Sequence, residues 1–307
     1  MNEILTGLYN PVRTRKVVIR RWAWAAARSV ALSGMYVWPL EDHWLRIERR
    51  EMPLPGLGSG FDGATIAHIS DLHRSPIVLE RYLRRCVEKI NSLEVDFVAI
   101  TGDFITGSRF YARRVSRVLR HLRPKVATVA CLGNHDYGVF HPNGKARLRQ
   151  PRHGRRHLAD YLADYLSHED IFVMLNETRT FSRGESKLQF VGLEDYWSTR
   201  YDPRLAFEMA QAGVPTIALC HNPDAAAEVA KLGAHWVLAG HTHGTDTQSK
   251  SKLLHRALIP AANRNLVGGQ YELGEDRFLY VNRGLAYRTH TQLNSRPEIT
   301  VFTLKNA

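Results

Sequence analysis

Three things are scarce in this chain of 307 residues: cysteine, uninterrupted apolar sequence and negative charge. The three cysteines, Cys86, Cys131 and Cys220, are far apart, which excludes a disulfide framework or a zinc knuckle and favours a reducing compartment. Cys220 ends an apolar run, the setting of a small core residue. The most apolar N-terminal stretch, residues 22–40, is broken by Arg28. A charge inside a span is costly, so this stretch makes a poor transmembrane helix. There is no internal repeat and no low-complexity tract, which excludes solenoids and propellers. The acidic deficit is plain: 30 Asp plus Glu stand against 42 Lys plus Arg, a formal net charge of +12. That balance favours an anionic partner, whether phosphate, nucleic acid or an acidic membrane surface, over a basic surface that serves only solubility.

Against these absences stands an ordinary globular composition, 44% hydrophobic and 23% charged. It supports a sizeable core and argues against both disorder and a polytopic membrane protein. Residues 1–60 read as a basic, Trp-rich appendage and linker, and residues 61–307 as one α/β domain. Pro53, Pro55, Gly56, Gly58 and Gly60 mark the linker. Ahead of residues 22–40 runs a cationic series, Arg13, Arg15, Lys16, Arg20 and Arg21. Three readings compete here: an interfacial amphipathic segment, a weak signal or anchor, and a helix packed on the domain. The first is preferred, because indole rings settle at the headgroup boundary and guanidinium groups reach lipid phosphate. Arg20-Arg21 is a twin arginine, but the flanks of an export signal and a cleavage site are weak. A cytoplasmic protein, peripheral on the inner membrane, therefore ranks above an exported one.

From residue 64 onward, short apolar runs alternate with helical spacing. Residues 64–69, 95–101, 126–131, 188–193, 215–220 and 236–239 read as strands. Residues 78–90, 110–122, 158–166, 203–211 and 224–232 read as helices, and 278–281 and 298–304 as closing strands. The alternation predicts an α/β fold whose site lies at the strand ends.

Polar ligand types recur where these apolar runs stop. Ser70-Asp71-Leu72-His73 comes first, its spacing letting a carboxylate and an imidazole turn to one point. Thr101-Gly102-Asp103 follows, with a glycine that permits close backbone approach and a carboxylate able to bridge two cations. Gly133-Asn134-His135-Asp136 adds an amide oxygen beside an imidazole. His221-Asn222-Pro223 and Gly240-His241-Thr242-His243 complete the series. Any one of these residues is better read as a turn former or a satisfied polar group. Seven in one order are not.

The ordered set resembles the calcineurin-like metallophosphoesterases over residues 64–304. The resemblance implies an α/β fold, a four-layer αββα sandwich with two mixed β-sheets, and two divalent metal ions at its strand ends. It assigns Asp71, His73 and His243 to one metal and Asn134, His221 and His241 to the other, with Asp103 bridging both. His135 is then a catalytic residue just outside, giving a proton to the leaving oxygen or a hydrogen bond to a phosphoryl oxygen. In such chemistry the bridged cations stand about 3.5–4 Å apart. Asn and neutral His add no charge, so the pair stays electrophilic, and a water between the cations attacks phosphorus in line without a covalent intermediate. Mixed oxygen and nitrogen ligands without thiolate suit Mn first, then Fe or Zn, over Mg or Ca.

Substrate choice is read from the flanks. Residues 137–158 hold a basic insertion with Lys145, Arg147, Arg149, Arg152, Arg155 and Arg156, plus His141, His153 and His157. It is either a phosphate or headgroup clamp, with Arg149, Arg152 and Arg155 as substrate contacts, or a solvated loop. A second series, Arg109, Arg113, Arg114, Arg117, Arg120 and Arg123, reads as the solvated face of a helix. His221-Asn222-Pro223-Asp224, residues 280–285 and Arg296-Pro297-Glu298-Ile299 resemble a membrane-associated phosphodiesterase subgroup that includes UDP-2,3-diacylglucosamine pyrophosphatases of lipid A biosynthesis. That subgroup continues after its last histidine with Gly-Gly-Gln, whereas this chain has Gly244-Thr245-Asp246-Thr247, so the substrate contacts there differ. Asn282 and Arg283 either touch substrate or close a turn beside the site. The resemblance thus implies hydrolysis of a phosphodiester or pyrophosphate in an anionic, lipid-linked substrate. A nuclease or cyclic-nucleotide phosphodiesterase ranks lower, since no nucleic-acid-binding module is evident, and a non-catalytic membrane-bound metal-binding scaffold is the remaining alternative.

Overall fold

The computed structural model describes residues 45–106, 108–139, 157–244, 266–286 and 296–307. Two six-stranded sheets form the body. The first holds β1 (Arg46–Leu54), β2 (Thr65–Ile69), β3 (Phe97–Thr101), β4 (Ala127–Cys131), β5 (Ile171–Val173) and β12 (Glu298–Asn306) in the order β1-β12-β2-β3-β4-β5. The second holds β6 (Glu177–Arg183), β7 (Ser186–Gly192), β8 (Thr216–Leu219), β9 (Trp236–Ala239), β10 (Gly269–Gly274) and β11 (Arg277–Val281) in the order β10-β11-β9-β8-β7-β6. Both are mixed: β2 to β5 run parallel while β12 opposes β2, and β7, β8, β9 and β11 run parallel between antiparallel β6 and β10.

Buried parallel strands are covered on both faces, which is why β3 and β4 are buried at every position and nearly continuous in apolar residues rather than alternating. Their period of two still divides the core. Phe97 and Ala99 turn into the interior between the sheets, with Phe190, Trp236 and Phe302. Val98 and Ile100 turn the other way, against α1 (Glu80–Asn91), α2 (Arg109–Leu119) and α3 (Leu158–Ser167). The outer face of the second sheet, with Val191, Val237 and Leu279, is covered by α4 (Pro203–Phe207) and α5 (Ala226–Lys231). Helix, sheet, sheet, helix is the expected αββα order.

Each long helix buries one stripe at helical spacing. In α1 it is Tyr82, Leu83, Cys86, Val87 and Ile90, and in α2 Ala112, Val115, Ser116, Val118 and Leu119. α4 starts cleanly, its Asp202 carboxylate accepting the Arg204 and Leu205 amides with Pro203 in the first turn. It ends at Phe207, short of the expected 211.

The expected boundary at residue 60 is corrected. The compact unit begins at Leu45, because β1 pairs in parallel with β12 from Arg46 opposite Glu298 to Leu54 opposite Asn306. Met52 and Leu54 are fully buried, and the Trp236 indole donates to the Pro53 carbonyl at 2.9 Å. Pro53 is tolerated because β1 is an edge strand. The Pro/Gly stretch after it is a packed corner rather than a free linker: Leu57 and Phe61 are core residues and Gly60 N donates to Ser186 Oγ at 3.0 Å. Residues 1–44 and the basic insertion at 140–156 lie outside the described residues. Among the described residues, no helix is long and apolar enough to cross a membrane.

Candidate metal centre

Directly beyond the ends of β2, β3 and β4 in one sheet, and of β8 and β9 in the other, come the expected ligand residues. The turns that carry them are unusual. Asp71, His73, Asp103, His241 and His243 have φ of 51°, 43°, 54°, 72° and 55°, left-handed values that cost a residue other than glycine roughly 1–3 kcal/mol each. Bonds between neighbouring turns hold them there. Asp71 N donates to Gly102 O at 3.0 Å, His73 N to Asp103 O at 2.8 Å, and Gly240 N to His221 O at 3.0 Å. Backbone approach is so close at Gly133 that a Cβ would stand 2.4 Å from Asp103 Oδ1 and 2.8 Å from the His221 ring.

Each carboxylate divides its two oxygens between framework and centre. Asp71 Oδ2 accepts from His241 N at 3.0 Å, leaving Oδ1 3.7 Å from His73 Nε2 and 3.5 Å from His243 Nε2. Asp103 Oδ1 accepts from His135 N at 2.9 Å. Its Oδ2 lies between two groups of ligands, 3.2 Å from His221 Nε2 and 3.5 Å from His73 Nε2. The remaining donors are oriented from behind. His221 Nδ1 donates to the Thr101 carbonyl at 2.6 Å, which turns Nε2 and its lone pair inward. Thr106 Oγ1 stands 3.3 Å from His73 Nδ1, a hydrogen-bond partner behind that ring. The Asn134 amide donates to Val139 O at 2.8 Å, so its oxygen faces His241 Nδ1 at 3.0 Å.

Three overlapping groups of ligand atoms result: Asp71, His73 and His243; His73, Asp103 and His135; Asp71, Asp103 and His221. His135, expected just outside, belongs to one of them, with Nε2 3.9 Å from Asp103 Oδ2. Burial acts to raise the Asp71 and Asp103 carboxyls, but the surrounding imidazoles hold both below the usual range. Burial alone works against a charged His221, yet the Asp103 carboxylate carries it well above an ordinary histidine. A divalent cation would offer Asp103 the same compensation and displace that proton. His241, buried and beside His221, is pushed down to about 3 and is neutral, as a ligand imidazole must be.

Two groups near the centre drew no role in the sequence reading. Asp136 accepts from the amides of Gly133 at 3.0 Å, Ile105 at 3.1 Å and Phe104 at 3.3 Å, pinning the turn after β4 to the turn after β3. Burial, then the charge of Asp103, lifts its carboxyl to about 8. Trp197 sets its ring edge-on to His241, centroids 4.7 Å apart, and its backbone N–H donates to the buried Asp195 carboxylate at 2.9 Å. Glu194-Asp195-Tyr196-Trp197 follows the end of β7, the same strand-end position as the other clusters, and that was the overlooked signal.

Asn282, expected as a substrate contact, is corrected. It is fully buried and its amide donates to His68 O at 3.2 Å and Thr300 Oγ1 at 3.0 Å while its oxygen accepts from Gly284 N at 2.8 Å. It closes a turn beside the site. Arg283 is ion-paired with Glu298 and its stem passes over Gly244. Arg149, Arg152 and Arg155 lie outside the described residues.

Comparison with known proteins agrees with this geometry. The chain is 28% identical over 302 residues to the UDP-2,3-diacylglucosamine pyrophosphatase LpxG of Chlamydia trachomatis serovar D, covering 86% of this chain and 91% of that protein. It is 27% identical to the phosphodiesterase YaeI of Escherichia coli K12, covering 93% and 98%. To the uncharacterized metallophosphoesterase YkuE of Bacillus subtilis strain 168 it is 28% identical, covering 92% and 93%. The family profile described as calcineurin-like phosphoesterase matches residues 64–245, over half of the chain and the whole ligand set. The chain therefore belongs to the calcineurin-like phosphoesterase family and is a metal-dependent phosphoesterase.

Proposed function

We propose that the chain hydrolyses a phosphodiester or pyrophosphate bond in an anionic, lipid-linked substrate, with UDP-2,3-diacylglucosamine as the best named candidate. The observation that carries the dinuclear reading is Asp103 Oδ2, set between His73 at 3.5 Å and His221 at 3.2 Å. Asp71, His73 and His243 would hold one cation and Asn134, His221 and His241 the other, with Asp103 shared between them. The residues fit such a pair. Asp71 Oδ1 and His241 Nε2 are buried with no hydrogen-bond partner among the described residues, and two carboxylates with neutral nitrogen donors leave a positive centre when loaded. Manganese is the first choice of metal, then iron or zinc. When bound, the pair supplies Lewis acidity toward phosphoryl oxygens and lowers the pKa of water.

The chain's own groups do the rest. Asp71 and Asp103 bring the negative charge that cations require. The Thr101 carbonyl fixes the ring tautomer of His221, and the Thr106 hydroxyl stands against the His73 ring. His135, 17% exposed at its side chain, is more open than its neighbours and stands edge-on to His73, centroids 4.7 Å apart. Its role would be to give the leaving oxygen a proton or a hydrogen bond. Arg283, whose stem lies beside Gly244 after His243, would meet a second phosphate. The lipid-linked substrate and a peripheral place on the inner membrane rest on the likeness to LpxG and on the +12 charge.

The test uses the full chain loaded with Mn. Release of UMP from UDP-2,3-diacylglucosamine is expected, together with hydrolysis of bis(p-nitrophenyl) phosphate. Diester hydrolysis without UMP release would remove the named substrate and leave the class standing. Asp103→Ala is expected to lower both activities by more than about a hundredfold; unchanged turnover would favour a metal-binding scaffold instead.

A further inference from the structure

Helix α2 carries a charge pattern that neither its own stability nor the metal centre explains. Its sequence, Arg-Phe-Tyr-Ala-Arg-Arg-Val-Ser-Arg-Val-Leu, has no acidic residue, and Arg109 occupies its first position with no acid in the first turn. Cations at a helix N-terminus oppose the helix dipole, and local choices that conflict with the fold concentrate at functional surfaces. Phe110, Arg113, Arg114 and Arg117 recur at three- and four-residue spacing on the outer face and are all exposed. Among the described residues, none of Arg109, Arg113, Arg114 and Arg117 forms an ion pair with a carboxylate. Arg114 instead lies 4.2 Å over the ring of Phe110, and Arg109 3.7 Å over Tyr161.

A solvated face accounts for the arginines but not for what stands among them. Phe110 is 60% exposed and Ile77, in the loop before α1, is 57% exposed. The two loops are joined: Arg74 bridges both Val78 and Ile105, Thr106 N donates to Arg74 O at 3.4 Å, and the Arg74 guanidinium lies 5.1 Å over Tyr111, itself stacked edge-on to Phe110. Arg74 directly follows His73, so this surface borders the metal centre. Apolar side chains ringed by arginines with long apolar stems match a bilayer interface, where the ring enters the acyl boundary and the guanidinium groups reach upward to phosphate. Nucleic acid would use the charge and leave Ile77 and Phe110 without a role.

We propose that the outer face of α2 with the loop at residues 74–78 is a docking surface for an anionic lipid bilayer, turning the mouth of the metal centre toward the headgroups. Its purpose rests on the lipid-linked substrate proposed above, but binding itself requires neither metal nor turnover, so the two ideas fail separately. Flotation of the full chain with phosphatidylcholine vesicles, with and without phosphatidylglycerol, measures the surface; hydrolysis of bis(p-nitrophenyl) phosphate measures the centre. Binding that depends on phosphatidylglycerol is expected. The triple variant Arg113→Glu, Arg114→Glu, Arg117→Glu is expected to lose about a hundredfold in partitioning, and Phe110→Ser about tenfold, both with unchanged diester hydrolysis. Parental flotation by the triple variant, as when residues 1–44 alone carry the attachment, overturns the proposal. So does a parent that ignores the vesicles, or a triple variant that loses a duplex oligonucleotide while Phe110→Ser binds vesicles normally.

Discussion

Asp71, His73, Asp103, His241 and His243 hold left-handed backbones that only glycine adopts freely. Hydrogen bonds between the turns hold that conformation against its strain, and His243→Gly in the metal-free protein is expected to gain about 1 kcal/mol of stability in urea titration, while diester hydrolysis with metal falls. A metal-free variant less stable than its parent would show that the turn is not strained. Glu194 offers a second residue-level test, away from the ligands. Burial lifts its carboxyl from 4.5 to about 7, against the pull of Arg200. The folded state therefore keeps a proton that the unfolded chain releases, so this group's stabilisation is complete below pH 4.5 and is lost as pH rises through about 7. Glu194→Gln should flatten the fall in urea midpoint over that window, with Asp195, also raised to about 7, leaving part of the slope; an unchanged slope would exclude Glu194 as its source. The ligand types were legible because carboxylate, amide and imidazole sit at fixed places after apolar runs. Their backbone angles were not, since Asp and His carry no signal for a positive φ.

The five ligand-bearing turns are set by their neighbours more than by their own residues. Gly133→Ala puts a methyl group against Asp103 and the His221 ring, and is expected to lower diester turnover by about a hundredfold with the far-ultraviolet circular dichroism of the parent. Retained turnover would mean that these turns slide freely. The turn after β11 makes the opposite case: Asn282→Ala removes side-chain hydrogen bonds to His68, Glu298, Thr300 and Gly284 and is expected to cost about 2–4 kcal/mol, read in denaturant, with KM unchanged in the folded fraction. A raised KM at full stability would restore Asn282 as a substrate contact. Central elements were readable from sequence because burial on both faces leaves continuous apolar runs. β1, β5, β6 and β10 were not. β6 and β10 alternate exposed and partly covered residues, and at the end of β1 Pro53 and the glycines beyond it mimic a linker that only the pairing with β12 overrides.

At the scale of the whole molecule the domain boundary has a direct test. A chain starting at Leu45 keeps β1 and is expected to unfold cooperatively, whereas one starting at Phe61 uncovers β12 as a new edge, exposes the core around Met52 and Leu54, and is expected to aggregate. Equal solubility of the two would return residues 45–60 to the appendage. The site also joins the two halves of the fold, because Asp71, His73, Asp103, Asn134 and His135 follow strands of one sheet and His221, His241 and His243 strands of the other. Loading and alignment then become one variable. A chelator added to the intact enzyme would loosen the seam from its open end inward, and slow amide exchange along β3 and β8 would register the departure of ions that neither strand touches through its own side chains.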